Sequence, residues 1–107
     1  MPLKTVYKDD NVLVVEKPAG IDVEGLKILL PKDAVPAHRL DKDTSGLLLV
    51  AENESALDFL QKQFRERRVE KKYLCLVTGN VKNERGRIES LLGRAPGDRR
   101  KQKTYLP

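Results

Sequence analysis

Two short apolar segments constrain the fold of this chain more than any other feature of its sequence. Residues 12–15 are framed by polar residues 9–11 and by a Lys-Pro-Ala-Gly segment at 17–20, and residues 47–51 follow Thr-Ser-Gly at 44–46. Apolar and β-branched residues bounded by turn formers indicate short buried strands. The second segment lacks polar alternation, which predicts a strand covered on both faces.

An amphipathic helix is predicted after the second strand. Asn53 or Ser55 can cap its start, because either side-chain oxygen can accept hydrogen bonds from free backbone N–H groups. Leu57, Leu60 and Phe64 are spaced i, i+3 and i+7, which places them on one helical face.

The remaining elements complete the predicted fold. Residues 73–77 predict a third strand, with Cys75 as a small buried residue, and residues 87–89 predict a further short strand. Residues 24–30 can form one or two helical turns. This order predicts a single α+β domain over residues 1–107, with a mixed, mostly antiparallel sheet and flanking helices.

The charge of the chain is concentrated in its second half. The 107 residues are 39% hydrophobic and 35% charged, with a formal net charge of +5. Residues 1–52 hold 7 Lys/Arg against 9 Asp/Glu, whereas residues 53–107 hold 14 against 7. A basic half indicates either a polyanionic partner, most often a nucleic acid, or a solvated charged surface. The charge balance does not decide between the two.

Cysteine and histidine content exclude several kinds of site. A lone Cys75 cannot form an internal disulfide, and with His38 as the single histidine no zinc finger can be assembled. No apolar run approaches the roughly 18 residues of a membrane-spanning helix, and residues 1–4 lack the apolar stretch of a signal peptide. We therefore expect an intracellular, cytoplasmic protein without metal or membrane attachment.

Residues 38–46 contain the densest group of reactive side chains. An imidazole, a guanidinium, two carboxylates and two hydroxyls lie within nine residues, immediately before the second strand. Loops at strand ends often carry functional sites. The alternative is a polar loop whose Asp and Thr side chains bond to local backbone groups, and spacing alone favours that interpretation.

The amino-acid sequence of this segment resembles the signature motif of the RluA-type RNA pseudouridine synthases. The matching residues are His-Arg-Leu-Asp at 38–41 and Thr-Ser-Gly-Leu at 44–47. Further blocks at 11–20, at 64–74 and at 93–94 with 98–101 resemble that family in the same order. Several ordered blocks are far more specific than one four-letter motif.

The resemblance implies an enzyme that isomerises uridine to pseudouridine in ribosomal or transfer RNA, with Asp41 as the catalytic carboxylate. Breaking the N1–C1′ bond builds positive character at C1′, which a carboxylate can stabilise or attack. Abstraction of the C2′ proton is an alternative role for the same group. The isomerisation transfers no electrons, so the resemblance implies no redox cofactor and no metal.

Other site residues follow from the same resemblance. Arg39 would assist base flipping, although a salt bridge to Asp41 or Asp43 is an alternative. Tyr73 would line the base pocket, although a strand tyrosine can equally belong to a core. Lys17 and the Pro18–Gly20 segment are interpreted as a structural turn. The residues that would support the catalytic loop are His38, Leu40, Thr44, Ser45 and Gly46.

Two basic clusters could contact RNA phosphates. The first follows the predicted helix and is interpreted as its solvent face, where cations also suit the helix dipole. The second is the favoured RNA contact. The first cluster comprises Arg65, Arg67, Arg68, Lys71 and Lys72, and the second comprises Arg94, Arg99, Arg100, Lys101 and Lys103.

The chain also departs from the family pattern. The later family block Gly-Arg-x-His-Gln-Ile-Arg is absent, since the Gly-Arg pairs at 86–87 and 93–94 are not followed by His-Gln. No S4-type RNA-binding domain is expected. The resemblance therefore covers the amino-terminal half of a catalytic domain. The alternatives to an active synthase are an inactive fragment and an RNA-binding module, and an incomplete sheet would favour self-association.

Overall fold

The computed structural model describes residues 3–89 and the backbone of two strands at 91–95 and 98–105. The chain divides into two compact units, Met1–Lys72 and Tyr73–Pro107. In the part of the chain that the structure describes, no helix has the length and apolar character needed to span a membrane.

The first unit is built on a four-stranded antiparallel sheet with the strand order β1-β2-β4-β3. Its central strands β2 and β4 pair from Val12 opposite Ala51 to Lys17 opposite Gly46. Both predicted apolar strands are therefore confirmed. The strands are β1 (Lys4–Lys8), β2 (Val12–Lys17), β3 (Val35–Pro36) and β4 (Gly46–Ala51).

Short polar side chains fix the turns and helix starts of this unit. The Asp9 carboxylate accepts hydrogen bonds from the backbone N–H groups of Asn11 and Val12, which closes the turn between β1 and β2. Helix α1 (Val23–Leu26) is followed by a 3-10 turn (Lys27–Leu29), and α2 spans Glu54–Arg65. Asn53 caps α2 by accepting from the Ala56 N–H at 2.8 Å, so the first of its two predicted caps is confirmed.

The core of the first unit lies between one sheet face and α1. Burying each aliphatic side chain of this core contributes about 1.5–3 kcal/mol to the stability of the fold. Helix α2 packs on the opposite face, where Ala56 is buried and Phe64 is half-buried. Leu47 is 56% exposed, so the predicted cover on both faces of β4 is incomplete at its start. The core residues are Leu13, Val15, Val23, Leu26, Leu48 and Val50.

The second unit corrects three sequence predictions. Residues 73–77 and 87–89 form no strand, and Cys75 is exposed instead of buried. Alternation alone does not make a strand, because the backbone groups also need a paired neighbour, and none of the described residues pairs with 73–77. The strands of this unit are β5 (Leu91–Ala95) and β6 (Asp98–Tyr105), which pair antiparallel and were not predicted.

Candidate active site

The loop between β3 and β4 carries Asp41 at the end of the sheet where Lys17 pairs with Gly46. The Ala37 N–H donates to the Leu49 carbonyl at 2.8 Å, which holds the start of the loop against β4. The Thr44 N–H donates to the Asp41 carbonyl at 3.1 Å and closes a turn over residues 41–44. The loop is thus fixed at its start and around its central carboxylate.

A buried lysine ties this loop to the first half of the chain. Lys17 is fully buried, and its Nζ donates to the backbone carbonyls of Pro18 at 2.8 Å, Ile21 at 2.5 Å and Lys42 at 2.9 Å. An ammonium group has three N–H donors, and all three are used here. The Lys42 carbonyl also accepts from the Gly20 N–H at 2.8 Å. The turn after β2 therefore supports the residue that follows Asp41.

The sequence predicts a structural turn after β2, and the structure has one, but the sequence did not reveal that this turn bonds to the loop at 38–46. Gly20 has a φ of 93°, a conformation that other residues rarely adopt. The one signal in the sequence was Lys17 itself, which follows Leu13 and Val15 in the alternate, inward-facing positions of β2. Such a lysine needs several buried acceptors, and these come from a segment that the local pattern does not identify.

The Asp41 side chain is exposed, and no described residue donates a hydrogen bond to its carboxylate. Its backbone is held by the turn at 41–44, while the adjacent Leu40 side chain is 8% exposed and anchors the loop to the protein. A fixed backbone with a free carboxylate suits a group that acts on a bound substrate.

Arg39 is also exposed, and no carboxylate lies within 4.0 Å of it among the residues that the structure describes. The alternative prediction of a salt bridge to Asp41 or Asp43 is therefore wrong for this structure. Ser45 is exposed and Thr44 is half-buried, and Gly46 begins β4 with a φ of 150°. Among the described residues, the Arg39 guanidinium therefore has no ion-pair partner.

His38 joins three elements at the start of the loop. Its Nε2 accepts a hydrogen bond from the Leu49 N–H at 3.0 Å, so this nitrogen carries no proton. Its ring stacks on that of Phe64 from α2, with centroids 4.7 Å apart and planes at 22°. Lys71 Nζ lies 5.3 Å from the Phe64 centroid. Burial and the nearby Lys71 charge lower the pKa of His38, and a hydrogen bond to the Arg39 backbone partly opposes them.

Acid is expected to destabilise the first unit through His38. Protonation would turn Nε2 from an acceptor into a donor facing the Leu49 N–H. Because the pKa of His38 in the folded chain lies below its ordinary value of 6.5, the unfolded chain binds the proton more readily, and the contribution of neutral His38 is lost as pH falls below that value. The melting temperature of the wild type should therefore fall more steeply between about pH 7 and about pH 5 than that of His38→Gln. Equal slopes would contradict this role, because the Gln amide oxygen accepts without titrating.

The remaining predicted site residues lie in the second unit. Tyr73 is 61% exposed and belongs to no strand, so its alternative interpretation as a core tyrosine is wrong. Arg94 lies on β5, and the basic residues 99–101 lie on β6. The side chains of Arg94, Arg99, Arg100 and Lys101 lie outside the described part of the structure.

A cavity of about 370 Å³ lies at the other end of the sheet, beside the turn between β1 and β2 and the start of α2. It is lined by Asp9, Val12, Ser55 and Phe59, among others. Val12 pairs with Ala51, the last residue of β4, whereas the loop that carries Asp41 joins β4 at Gly46, its first residue. This cavity is therefore separate from Asp41.

Known proteins are similar to this chain in sequence and fold. The family model described as RNA pseudouridylate synthase matches residues 11–106. The ribosomal large subunit pseudouridine synthase D of Borreliella burgdorferi is 36% identical over 123 residues, covering 94% of this chain and 38% of the relative. The ribosomal large subunit pseudouridine synthase C of Escherichia coli (strain K12) is 45% identical over 87 residues, covering 69% and 27%.

A solved structure is similar as well. That of Human RNA Pseudouridylate Synthase Domain Containing 1 matches with a TM-score of 0.78 at 34% identity, covering 92% of this chain and 42% of that one. This similarity confirms the predicted α+β fold with a mostly antiparallel sheet. The chain spans less than half the length of each of these three proteins.

Proposed function

Because the chain belongs to the RNA pseudouridylate synthase family, as its RluA-type motifs predicted, we propose that it carries the catalytic carboxylate of an RNA pseudouridine synthase. The observation that supports this most directly is the loop at 38–46. Its backbone is fixed by Lys17 and by the turn at 41–44, while the Asp41 carboxylate stays exposed.

The proposed substrate is ribosomal RNA, in line with the names of the two bacterial relatives. Transfer RNA, the other substrate class that the RluA-type resemblance implies, is the second candidate. The expected cytoplasmic location is consistent with either substrate and stays a prediction.

The proposed reaction moves one glycosidic bond. The N1–C1′ bond breaks with its electron pair passing to the base, while an Asp41 oxygen either bonds to C1′ or takes the C2′ proton. The base turns and C5 bonds to C1′; this breaks the Asp41–C1′ bond in the first route, whereas in the second route Asp41 returns its proton to C2′. The C5 proton leaves to solvent and N1 takes a proton from solvent, so Asp41 ends in its starting form. No electrons are gained or lost overall, so the proposal needs no redox cofactor.

Arg39 and Tyr73 supply the proposed contacts to the base. A uridine must leave its stack to reach a carboxylate, at a cost of a few kcal/mol. The Arg39 guanidinium, two residues before Asp41 and free of ion pairs in the described part of the chain, can fill the gap by stacking. Tyr73, with its exposed ring, can lie against the extruded base.

Tritium release tests the proposed function. Ribosomal RNA labelled with tritium at C5 of uridine loses the label to water when C5 bonds to C1′. We expect the 107-residue chain to release tritium from ribosomal RNA and, if transfer RNA is also a substrate, from that RNA too. RNA binding without release would instead support the RNA-binding module, and neither binding nor release would support the inactive fragment.

Self-association is proposed alongside this function. Strand β1 pairs only with β2 among the described strands and leaves Val6 and Tyr7 about half exposed, while Leu74 and Leu76 of the second unit are fully exposed. Free strand edges and apolar side chains favour association. Sedimentation equilibrium should therefore give an average mass that rises with concentration, less so for Leu74→Ser/Leu76→Ser. A monomer at every concentration would contradict this.

A further inference from the structure

The segment directly after α2 forms the most strongly charged surface of the first unit. Residues 65–72 contain five Lys/Arg and two Glu. Every residue in this segment is exposed except Val69, which is half-buried. The sequence favours interpreting this cluster as a solvated helix face, but four of its five cations lie beyond Arg65, the last residue of α2.

The five cations differ in their partners. Arg68 Nε lies 3.3 Å from a Glu66 carboxylate oxygen, and Lys71 lies over the Phe64 ring. No carboxylate within the described residues lies within 4.0 Å of Arg65, Arg67 or Lys72. These three cations are therefore available to an external anion.

Arg67 occupies a backbone conformation that does not suit it. Its φ is 56°, in the left-handed region. The Arg67 N–H donates to the Phe64 carbonyl at 3.1 Å and the Arg68 N–H to the Gln63 carbonyl at 2.9 Å, which is the Schellman end of a helix. Glycine is the preferred residue at this position, because a Cβ is disfavoured there. Folding alone therefore gives no reason for an arginine.

The cluster follows the end of α2 that contacts the start of the loop at 38–46. Helix α2 starts beside the first turn, where Asn53 Nδ2 donates to Asn11 Oδ1 at 3.0 Å, and by Phe64 it has reached the ring of His38. His38 leads directly into Arg39 and Asp41. Cations at the end of α2 thus flank the loop that would hold the target nucleotide.

We propose that Arg65, Arg67 and Lys72 form a phosphate-binding patch for the RNA strand that flanks the target uridine. This proposal rests on the proposed function. The patch would hold the RNA backbone while Arg39 and Asp41 engage the base, and it would carry no sequence preference, since phosphates are the same at every position.

A salt titration tests the patch. The binding constant of the full chain for a fluorescent single-stranded RNA that contains uridine is measured against salt concentration. For Arg65→Gln/Arg67→Gln/Lys72→Gln the log–log slope should be shallower by about 2, at roughly 0.7 per phosphate contact. The matched control is Lys8→Gln/Lys27→Gln/Lys32→Gln, which removes three exposed charges elsewhere on the first unit and should change the slope much less.

A single variant separates binding from folding. Arg67→Gly removes one cation and relieves the left-handed backbone, so it should raise the melting temperature by a few degrees while weakening RNA binding. Equal slopes for the two triple variants, or unchanged RNA affinity in Arg67→Gly, would overturn the patch even if tritium release had confirmed the synthase. If the wild type neither binds RNA nor releases tritium, the proposed function fails, and the patch fails with it.

Discussion

Replacing Asp41 with asparagine is expected to lower tritium release from C5-labelled ribosomal RNA by roughly 10³-fold or more. Asparagine keeps the size of the side chain but can neither attack C1′ nor accept the C2′ proton. Because the Asp41 carboxylate bonds to no described residue, the loop should keep its shape. RNA affinity and melting temperature should therefore stay close to those of the wild type.

Asp43→Asn is the matched control for this variant. Asp43 lies in the same turn, is exposed like Asp41 and forms no ion pair among the described residues. Its replacement removes the same charge from the same loop and should change the rate by only a few fold. If the two variants lost activity equally, the loop charge as a whole and not one carboxylate would be responsible. Full activity in Asp41→Asn would exclude Asp41 as the catalytic group.

Replacing Lys17 with methionine is expected to destabilise the first unit by about 3 kcal/mol. The methionine side chain fits an apolar core but leaves the carbonyls of Pro18, Ile21 and Lys42 without their shared donor. Leaving a buried polar group unpaired costs about 1–3 kcal/mol. Since small domains are stable by only about 5–15 kcal/mol, urea unfolding should show a clear shift of the midpoint.

Lys42→Met distinguishes the buried ammonium from lysines in general. Lys17 bonds to the backbone carbonyl of Lys42, whose own side chain is exposed. The Lys42 variant should therefore change stability by less than about 0.5 kcal/mol. Equal midpoints for the wild type and Lys17→Met would show that water can replace the ammonium at the three carbonyls.

The parts of the fold that depend on local pattern were predictable. The apolar segments at 12–15 and 47–51 lie in the paired central strands β2 and β4, and the spacing of Leu57, Leu60 and Phe64 correctly predicted the helix α2. The prediction of a strand at 73–77 was wrong, because alternation of side chains is a local property of the sequence, whereas a strand needs a distant partner with which to pair.

The sequence predicts the residues of the candidate site but not the contacts that support them. The motif at 38–46 predicts Arg39 and Asp41 as site residues, and the family model confirms the family to which the motif pointed. It did not reveal that His38 accepts from Leu49 N–H or that Lys17 reaches Lys42, 25 residues further along the chain. Both bonds depend on how β2, β4 and the loop meet, which no local pattern contains.

The Lys42 carbonyl accepts two hydrogen bonds, and this limits how the loop at 38–46 can be transplanted. The two donors, the Lys17 ammonium and the Gly20 N–H, belong to a separate stretch of chain. A graft of residues 38–46 onto another scaffold would carry the reactive side chains without the parts that locate them. The smallest portable unit is therefore discontinuous: the 17–21 turn and the 38–46 loop, joined by the antiparallel pairing of β2 and β4.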